Sequence, residues 1–291
     1  MAPTLSCVLI EVVCGCNCKC LHCPVGDWSK LERRPGMMSF EIFKAILDQI
    51  PAGCRIHLGA MGEPTLNPNL IEMAELSSST GHPTISTTNA SRLHLIDAAR
   101  LKAALVDMTI SIDGWNGSYQ RHRNLDWNLV FHNTNFFSKI PGKCKLTIAS
   151  IDSDITTKDN DQSTPYWESI GAIHSRLPLD DYCGQLALPA ELGRCRTNDR
   201  RSTSKPRKRC NLIQDVMHVT FEGRAFTCCH DLQGKIKLGS FNEPGGLQKA
   251  WEKDMGELRA KHEKRDFPFP CSACNMTYES LDTSANTGGV F

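Results

Sequence analysis

The sequence predicts an α/β fold: a partial (β/α)6 barrel with a small C-terminal β-hairpin plus helix domain behind it. Three observations lead there. Through the first half, apolar residues switch repeatedly between a two-residue and a 3.6-residue period, as strands and helices alternate around a parallel sheet. The strand-like runs number six, too few to close the eight-stranded form of such a barrel. Beyond residue 210 the pattern becomes two short runs flanking Glu222-Gly223-Arg224 and then one helix, the outline of a covered hairpin.

The elements follow in order. Cys7 to Val13 reads as a strand that feeds a cysteine-rich loop. Ser39 is a good N-cap for a helix with Phe40, Phe43, Ile46, Leu47 and Ile50 on one face, stopped by Pro51 and Gly53. Strands are expected at Arg55 to Leu58, Thr84 to Thr88, Met108 to Ile112 and Lys145 to Ser150, with a weaker sixth near Ile173 to Leu177. Helices are expected at Leu70 to Leu76, Ile96 to Leu105 and Trp127 to Lys139. Residues 1–192 thus form the barrel, 193–209 a basic linker and 210–291 the second domain. The linker carries Arg194, Arg196, Arg200, Arg201, Lys205, Arg207, Lys208 and Arg209 without an apolar period. A solvated linker is the simpler expectation, an anion-contacting flap the alternative. The hairpin comprises Met217 to Phe221 and Ala225 to Cys228, the helix Leu247 to His262, and the tail from Thr283 is expected to be loose.

A chain of 291 residues, 40% hydrophobic, can bury a full core. Its 33 basic and 32 acidic residues nearly cancel, so overall charge drives it toward neither nucleic acid nor a membrane. No apolar run approaches the roughly 20 residues of a membrane span, and no basic-then-apolar export signal is visible. A cytoplasmic protein with no nucleic-acid or membrane partner is expected. The 15 cysteines are odd in number and clustered at short spacings, which favours metal ligation over disulfides.

Cys16, Cys20 and Cys23 form a CxxxCxxC array on the loop after the first strand. Three thiolates can hold three irons of a 4Fe-4S cube and leave the fourth open to a ligand. The neighbouring Cys14 and Cys18 also make a soft-metal or zinc tract possible. The downstream residues separate these readings. Met61-Gly62-Glu63-Pro64 follows the second strand, Thr88-Asn89 ends the third, and Ser111-Ile112-Asp113-Gly114 ends the fourth.

Together with Cys16-Asn17-Cys18-Lys19-Cys20-Leu21-His22-Cys23, these segments resemble the radical S-adenosylmethionine superfamily across roughly residues 5–180. The resemblance implies that Cys16, Cys20 and Cys23 hold one 4Fe-4S cluster. It places His22 by the adenine of S-adenosylmethionine, Gly62 and Glu63 at the methionine amino group, and Asn89, Ser111 and Asp113 in the cofactor site. Met61 departs from the family, which more often has glycine there.

A second group, Cys210, Cys228, Cys271 and Cys274, supplies four more thiolates, enough for a closed cluster or a zinc site. Phe221 through Asp231, Leu238-Gly239, Trp251 and Cys271-Ser272-Ala273-Cys274 are similar to the SPASM and twitch domains of the same superfamily. That likeness implies a single auxiliary 4Fe-4S cluster, two in all. Cys7, Cys14, Cys18, Cys54, Cys144, Cys183, Cys195 and Cys229 remain, mostly as packing residues.

The chain also resembles aminocyclitol dehydrogenases and aminoglycoside epimerases. Hydrogen abstraction from a carbinol carbon is therefore expected, on a small-molecule substrate, with a one-electron donor such as flavodoxin or ferredoxin. Epimerisation needs a hydrogen donor, for which Cys229 beside Cys228 is the candidate catalytic residue. Dehydrogenation, with the auxiliary cluster as electron acceptor, and modification of a ribosomal peptide are the alternatives. No peptide-recognition segment is visible ahead of the first strand, which favours the small substrate.

Overall fold

The computed structural model describes residues 3–26, 31–193, 210 and 212–274. Most of the basic linker, Cys195 and the tail after Cys274 lie outside the described residues.

Eight strands form one sheet in the order β10-β9-β1-β4-β5-β6-β7-β8. The six strands expected from periodicity are β1 (Cys7–Ile10), β4 (Arg55–Leu58), β5 (Thr84–Thr88), β6 (Asp107–Ser111), β7 (Lys145–Asp152) and β8 (Ile173–Pro178). All five pairings among them are parallel. Their carboxyl ends therefore share one rim, and the loops carrying Cys16, Glu63, Asn89 and Asp113 gather there. β1 stops at Ile10 rather than Val13, because the buried Glu11 turns its carboxylate to the Arg33 guanidinium 2.9 Å away. Val13–Cys14 (β2) then pairs with Gly36–Met37 (β3) as a separate short ribbon.

The C-terminal hairpin, β9 (Val216–Val219) and β10 (Ala225–Phe226), joins the same sheet, with β9 parallel to β1 from Cys7↔Val216 to Ile10↔Val219. Gln185, from the loop after β8, donates through Nε2 to the His230 carbonyl 2.5 Å away, beyond β10. Those two strands are the opposite edges of the sheet, so the segments that follow its two edges touch.

Alternate strand residues point outward and are buried under helices: Val8, Ile10, Ile56, Leu58, Met108, Ile110 and Ile148. Against them pack Phe43, Ile46 and Leu47 of α1 (Phe40–Leu47) and Val130 and Phe137 of α5 (Trp127–Lys139). Each such side chain contributes about 1.5–3 kcal/mol by leaving water. α1 starts as expected, with Ser39 Oγ accepting from Ile42 N at 3.2 Å. α2 (Leu70–Ser79) and α3 (Ala98–Ala104) complete the first units, and Asp97 caps α3 through Arg100 N at 3.0 Å.

Two helices escape periodicity. α4 (Gly117–Arg123) is short and polar, yet buries Tyr119, His122 and Arg123. α6 (Thr157–Ser169) contains Pro165 and few apolar residues, and is anchored by the fully buried Trp167. The last helix, α7 (Met255–Glu263), continues a helical turn, Gly246–Gln248, and a π-helical stretch, Lys249–Asp254. Arg259 on it donates to the Ile213 carbonyl at 2.7 Å and lies over the Trp251 ring. No helix among the described residues is long and apolar enough to cross a membrane.

Candidate functional site

The cysteine loop is held from two sides. From one, Glu63 N donates to the Gly15 carbonyl at 2.8 Å. Gly62, at φ +110°, lies so close that a Cβ would stand 2.2 Å from the Val13 carbonyl oxygen and 2.7 Å from that of Gly15. From the other, the end of α4 presents two carbonyls: His122 O accepts from Leu21 N at 2.9 Å, and Arg123 O accepts from the Cys18 thiol at 2.7 Å.

Cys16 and Cys20 are surrounded by donors. Asn89 Nδ2 lies 3.7 Å from Cys16 Sγ, and Cys18 N donates to the same sulfur at 3.3 Å. Arg123 Nη1 lies 3.8 Å from Cys20 Sγ, and the Cys18 sulfur 3.1 Å from it. Contact with the Cys18 side chain, whose single S–H is shared among these neighbours, outweighs burial and pulls both thiols below their ordinary range, with Arg123 assisting at Cys20. Burial instead pushes Cys23 up to about 12. This donor set fits an iron-sulfur cluster: two thiols are biased toward the thiolate, and a metal ion would deprotonate the third. Cys18 is 2% exposed and turned to the α4 carbonyl, which leaves Cys16, Cys20 and Cys23 as the three that share the open side of the loop.

Glu63 is 2% exposed and fully engaged. Its Oε1 accepts from Thr65 N (3.1 Å), Thr65 Oγ1 (2.6 Å) and Thr88 Oγ1 (2.6 Å), and Oε2 from Asn89 N (2.7 Å). The carboxylate thus ties the ends of β4 and β5 together beside the cysteine loop. Asn89 extends this net to Asn17 Oδ1 at 3.0 Å. Ser111 ends β6 half-buried.

Asp113 and His22 meet in a buried polar chain. His22 Nδ1 is 2.7 Å from His122 Nε2, which lies 3.8 Å from Asp113 Oδ2; Arg123 Nε is 2.7 Å from that oxygen. Burial alone would raise the Asp113 carboxyl, but Arg123 and the two histidines bring it below its usual range. Burial drives His22 down to about 3, so it is neutral. The chain ends at Cys20 through Arg123, and periodicity pointed to neither His122 nor Arg123, because α4 is too short to show a repeat.

The second cysteine group assembles around the hairpin. Cys210 and Cys228 are buried, and the Cys228 thiol is raised by burial, then by the nearby Cys229, Cys210 and Cys271. Cys271 and Cys274 lie on and beside a single 3-10 turn, with Cys274 N bonded to Cys271 O at 3.2 Å. Cys210 and Cys271, close enough to raise Cys228, with Cys274 on the same turn as Cys271, fit a shared metal centre. Cys229, next to them, is half-buried, hydrogen-bonded to His230 and near Tyr182. His230 in turn pairs with Asp180 Oδ2 at 2.8 Å. Burial opposes its proton, but Cys229 and Asp180 raise it well above the ordinary histidine value.

Sequence reasoning missed four residues from elsewhere in the chain. Tyr182 packs with Met61, Cys16 and Cys23 around Val25, Leu31 and Leu232. Cys183, read as a packing residue, hydrogen-bonds Cys274. His57 and His218, on the two strands that flank β1, are buried neutral imidazoles, both driven to about 3 by burial.

Comparison with known proteins agrees with this arrangement. The radical SAM superfamily model matches residues 10–145, and the model of the SPASM iron-sulfur cluster-binding domain matches 210–275. The AdoMet-dependent heme synthase of Methanosarcina barkeri is 28% identical over 153 residues, 52% of this chain and 39% of that protein. The mycofactocin maturase MftC of Mycobacterium ulcerans is 32% identical over 111 residues, 37% of this chain and 29% of that protein. The chain thus spans well under half the length of the curated relatives it matches. Among solved structures, BtrN in complex with AdoMet and 2-DOIA aligns with a TM-score of 0.60 at 16% identity, covering 100% of this chain and 98% of BtrN. Streptococcus suis SuiB bound to its precursor peptide SuiA aligns at 0.68 and 12% identity, covering 89% of this chain and 67% of SuiB. These two likenesses concern the fold. The radical SAM domain implies a 4Fe-4S cluster and S-adenosylmethionine, and the SPASM domain a further iron-sulfur cluster. With its cysteine loop at the rim of a parallel α/β sheet and a second cysteine group around the C-terminal hairpin, the chain carries a radical SAM domain followed by a SPASM iron-sulfur cluster-binding domain.

Proposed function

We propose that this radical SAM enzyme abstracts hydrogen from a carbinol carbon of an aminoglycoside or aminocyclitol and returns it on the opposite face, an epimerisation. Cys16, Cys20 and Cys23 would hold the first cluster, and Cys210, Cys228, Cys271 and Cys274 the second. When bound, the first cluster and S-adenosylmethionine supply the 5′-deoxyadenosyl radical that takes the hydrogen atom. Glu63, with Gly62 and Asn89, holds the rim on which the methionine end of the cofactor rests. His22, Ser111 and Asp113 belong to the same rim in this reading.

The observation that carries the proposal is the placement of Cys229. It hydrogen-bonds His230 and lies near Tyr182, a residue close enough to feel Cys23, Cys229 and Cys20 together. In this reading the Cys229 thiol gives its hydrogen atom to a substrate carbon radical, forming the inverted C–H bond and leaving a sulfur-centred radical. One electron, from a donor such as flavodoxin or ferredoxin, and one proton restore the thiol. His230, hydrogen-bonded to Cys229 and paired with Asp180, stands where that proton must arrive.

The anaerobically reconstituted protein should form 5′-deoxyadenosine with a responsive aminocyclitol or aminoglycoside, and deuterium from heavy water should enter the product. Cys229→Ala should keep 5′-deoxyadenosine formation and lose the epimer. An oxidised product without solvent deuterium would instead establish dehydrogenation, which the gathering of Cys210, Cys228 and Cys271 around one centre favours as the second reading. Turnover only with a precursor peptide would move the substrate class to that of MftC or SuiB.

A further inference from the structure

We propose that Arg123 is a positioning residue of the first cysteine site: its guanidinium, anchored by the buried Asp113 carboxylate, holds a fixed positive charge against Cys20 and makes a cluster held there easier to reduce. The inference rests on the reading of Cys16, Cys20 and Cys23 as ligands of one cluster.

The end of α4 delivers Arg123 and is tied to the cysteine loop. Just after Arg123 the helix stops, where Asn124 takes the left-handed conformation at φ +56° and returns its N–H to the Gln120 carbonyl at 2.8 Å. The carbonyls left over at that end find partners in the loop. His122 O accepts from Leu21 N at 2.9 Å, and Arg123 O from the Cys18 thiol at 2.7 Å. The His122 side chain adds a third tie, with Nε2 2.7 Å from His22 Nδ1 across 100 positions of chain. Contacts to Cys18, Leu21 and His22 thus fix Arg123 relative to the cysteines between and beside them.

The guanidinium is divided between two partners. Nε lies 2.7 Å from Asp113 Oδ2, and Nη1 lies 3.8 Å from Cys20 Sγ. Asp113 is fully buried, and its other oxygen accepts from Ile151 N at 2.6 Å, so the carboxylate cannot swing away without giving up that bond. Its influence on the cysteine loop therefore passes through Arg123. The arginine is itself only 7% exposed, and a charge so far from water is weakly screened. A guanidinium keeps its proton in a protein, so the charge is fixed rather than titratable. Of the pair, it is the cation that reaches the sulfur. Reduction adds negative charge to an iron-sulfur cluster, whose potential follows the net charge around it and the hydrogen bonds to its sulfurs. The Arg123 charge favours the reduced form and raises the potential, and the Asp113 charge opposes it. Through this pair, the end of β6 sets how readily the first site accepts an electron from its donor.

The test uses the full chain, reconstituted anaerobically, with potentials read by redox titration followed by electron paramagnetic resonance. The first cluster is identified in wild type as the signal that changes when S-adenosylmethionine is added; absence of any such signal would fail the ligand reading of Cys16, Cys20 and Cys23, and the proposal with it. Arg123→Met, which leaves Asp113 charged, should shift this signal to lower potential. Asp113→Asn, which leaves Arg123 charged, should shift it to higher potential, and the second cluster should keep its wild-type potential in both. The double variant removes both charges, a change that folds tolerate better than the loss of one partner, and should fall between wild type and Arg123→Met. If Arg123→Met does not fold, Asp113→Asn and the double variant still decide, because they should move to opposite sides of wild type. Potentials equal to wild type in those two, or shifts of the same sign, overturn the proposal. Loss of the first cluster from both overturns it as well, since the ion pair would then support the loop and do nothing to the potential.

Discussion

Replacing Gly62 by alanine probes the packing on which the first site depends. A Cβ there would meet the Val13 and Gly15 carbonyl oxygens at 2.2 and 2.7 Å, and the residue sits at φ +110°. The conformation alone costs a side-chain-bearing residue about 1–3 kcal/mol. Relief of the collision requires the loop to withdraw, which lengthens the 2.8 Å bond from Glu63 N to Gly15 O, worth about 0.5–1.5 kcal/mol. The expected loss is therefore on the order of 2–4 kcal/mol, or roughly 4–16 °C in melting temperature for a domain of this size class. Because the displaced strand is the one that carries Cys14 and leads into Cys16, the first cluster should also be lost or become labile. Calorimetry and iron analysis of Gly62→Ala provide the assay. Gly53→Ala separates the two causes, since Gly53 has φ +78° with nothing within 4 Å of its Cβ position and should cost the conformational part only. If Gly62→Ala melted within a degree or two of Gly53→Ala and kept its iron, the idea that close backbone approach braces the cysteine loop would be wrong.

Three further outcomes follow from particular contacts. Glu63→Gln presents an amide N–H₂ to a cage of four donors; it should cost about 1–3 kcal/mol and weaken S-adenosylmethionine binding, and an unshifted melting curve would contradict the cage. Lys102→Met removes an ammonium that donates to the carbonyls of Phe137 (2.8 Å), Ser138 (3.3 Å) and Ile140 (2.6 Å) at the end of α5, so urea unfolding should show a loss of roughly 1–3 kcal/mol with iron content unchanged. His57 and His218 are held near 3 in the fold against 6.5 when unfolded. Above pH 6.5 neither state binds the proton and stability is full; as pH falls toward 3 only the unfolded state gains it, so stability declines by up to about 1.4 kcal/mol per pH unit for each residue. Urea midpoints at pH 7, 6 and 5 should fall accordingly and His57→Gln should flatten the slope, whereas equal midpoints would show that these imidazoles are not desolvated.

Much of the chain was legible before folding because its signals are local. Periodicity located the six parallel strands, with Arg55–Leu58 and Thr84–Thr88 matching to the residue, and Trp127–Lys139 did so among the helices. The spacing of Cys16, Cys20 and Cys23 needs only a short loop to bring three sulfurs together, and Gly62-Glu63-Pro64 marks the neighbouring loop on the same rim. α4 and α6 left no such trace: seven polar residues, and thirteen with an internal proline, carry too few apolar positions to define a face. Both are helical because the barrel buries Tyr119 and Trp167.

What the sequence by itself determined is the kind of chemistry: parallel βα units, two groups of cysteines and the acid beside the first. Only the tertiary structure decided that β9 joins β1, that Arg123 and Cys18 stand over the first cysteine group, and that the turn at Tyr182 and Cys183 crosses to the second. Cys18 and Arg123 are 105 positions apart, and Ser6 and Asp215, which join β1 to the start of β9, are 209 apart. No repeat or spacing encodes such a contact, because it is selected by the strand order of the sheet and by the entropy of closing long loops, both properties of the assembled chain.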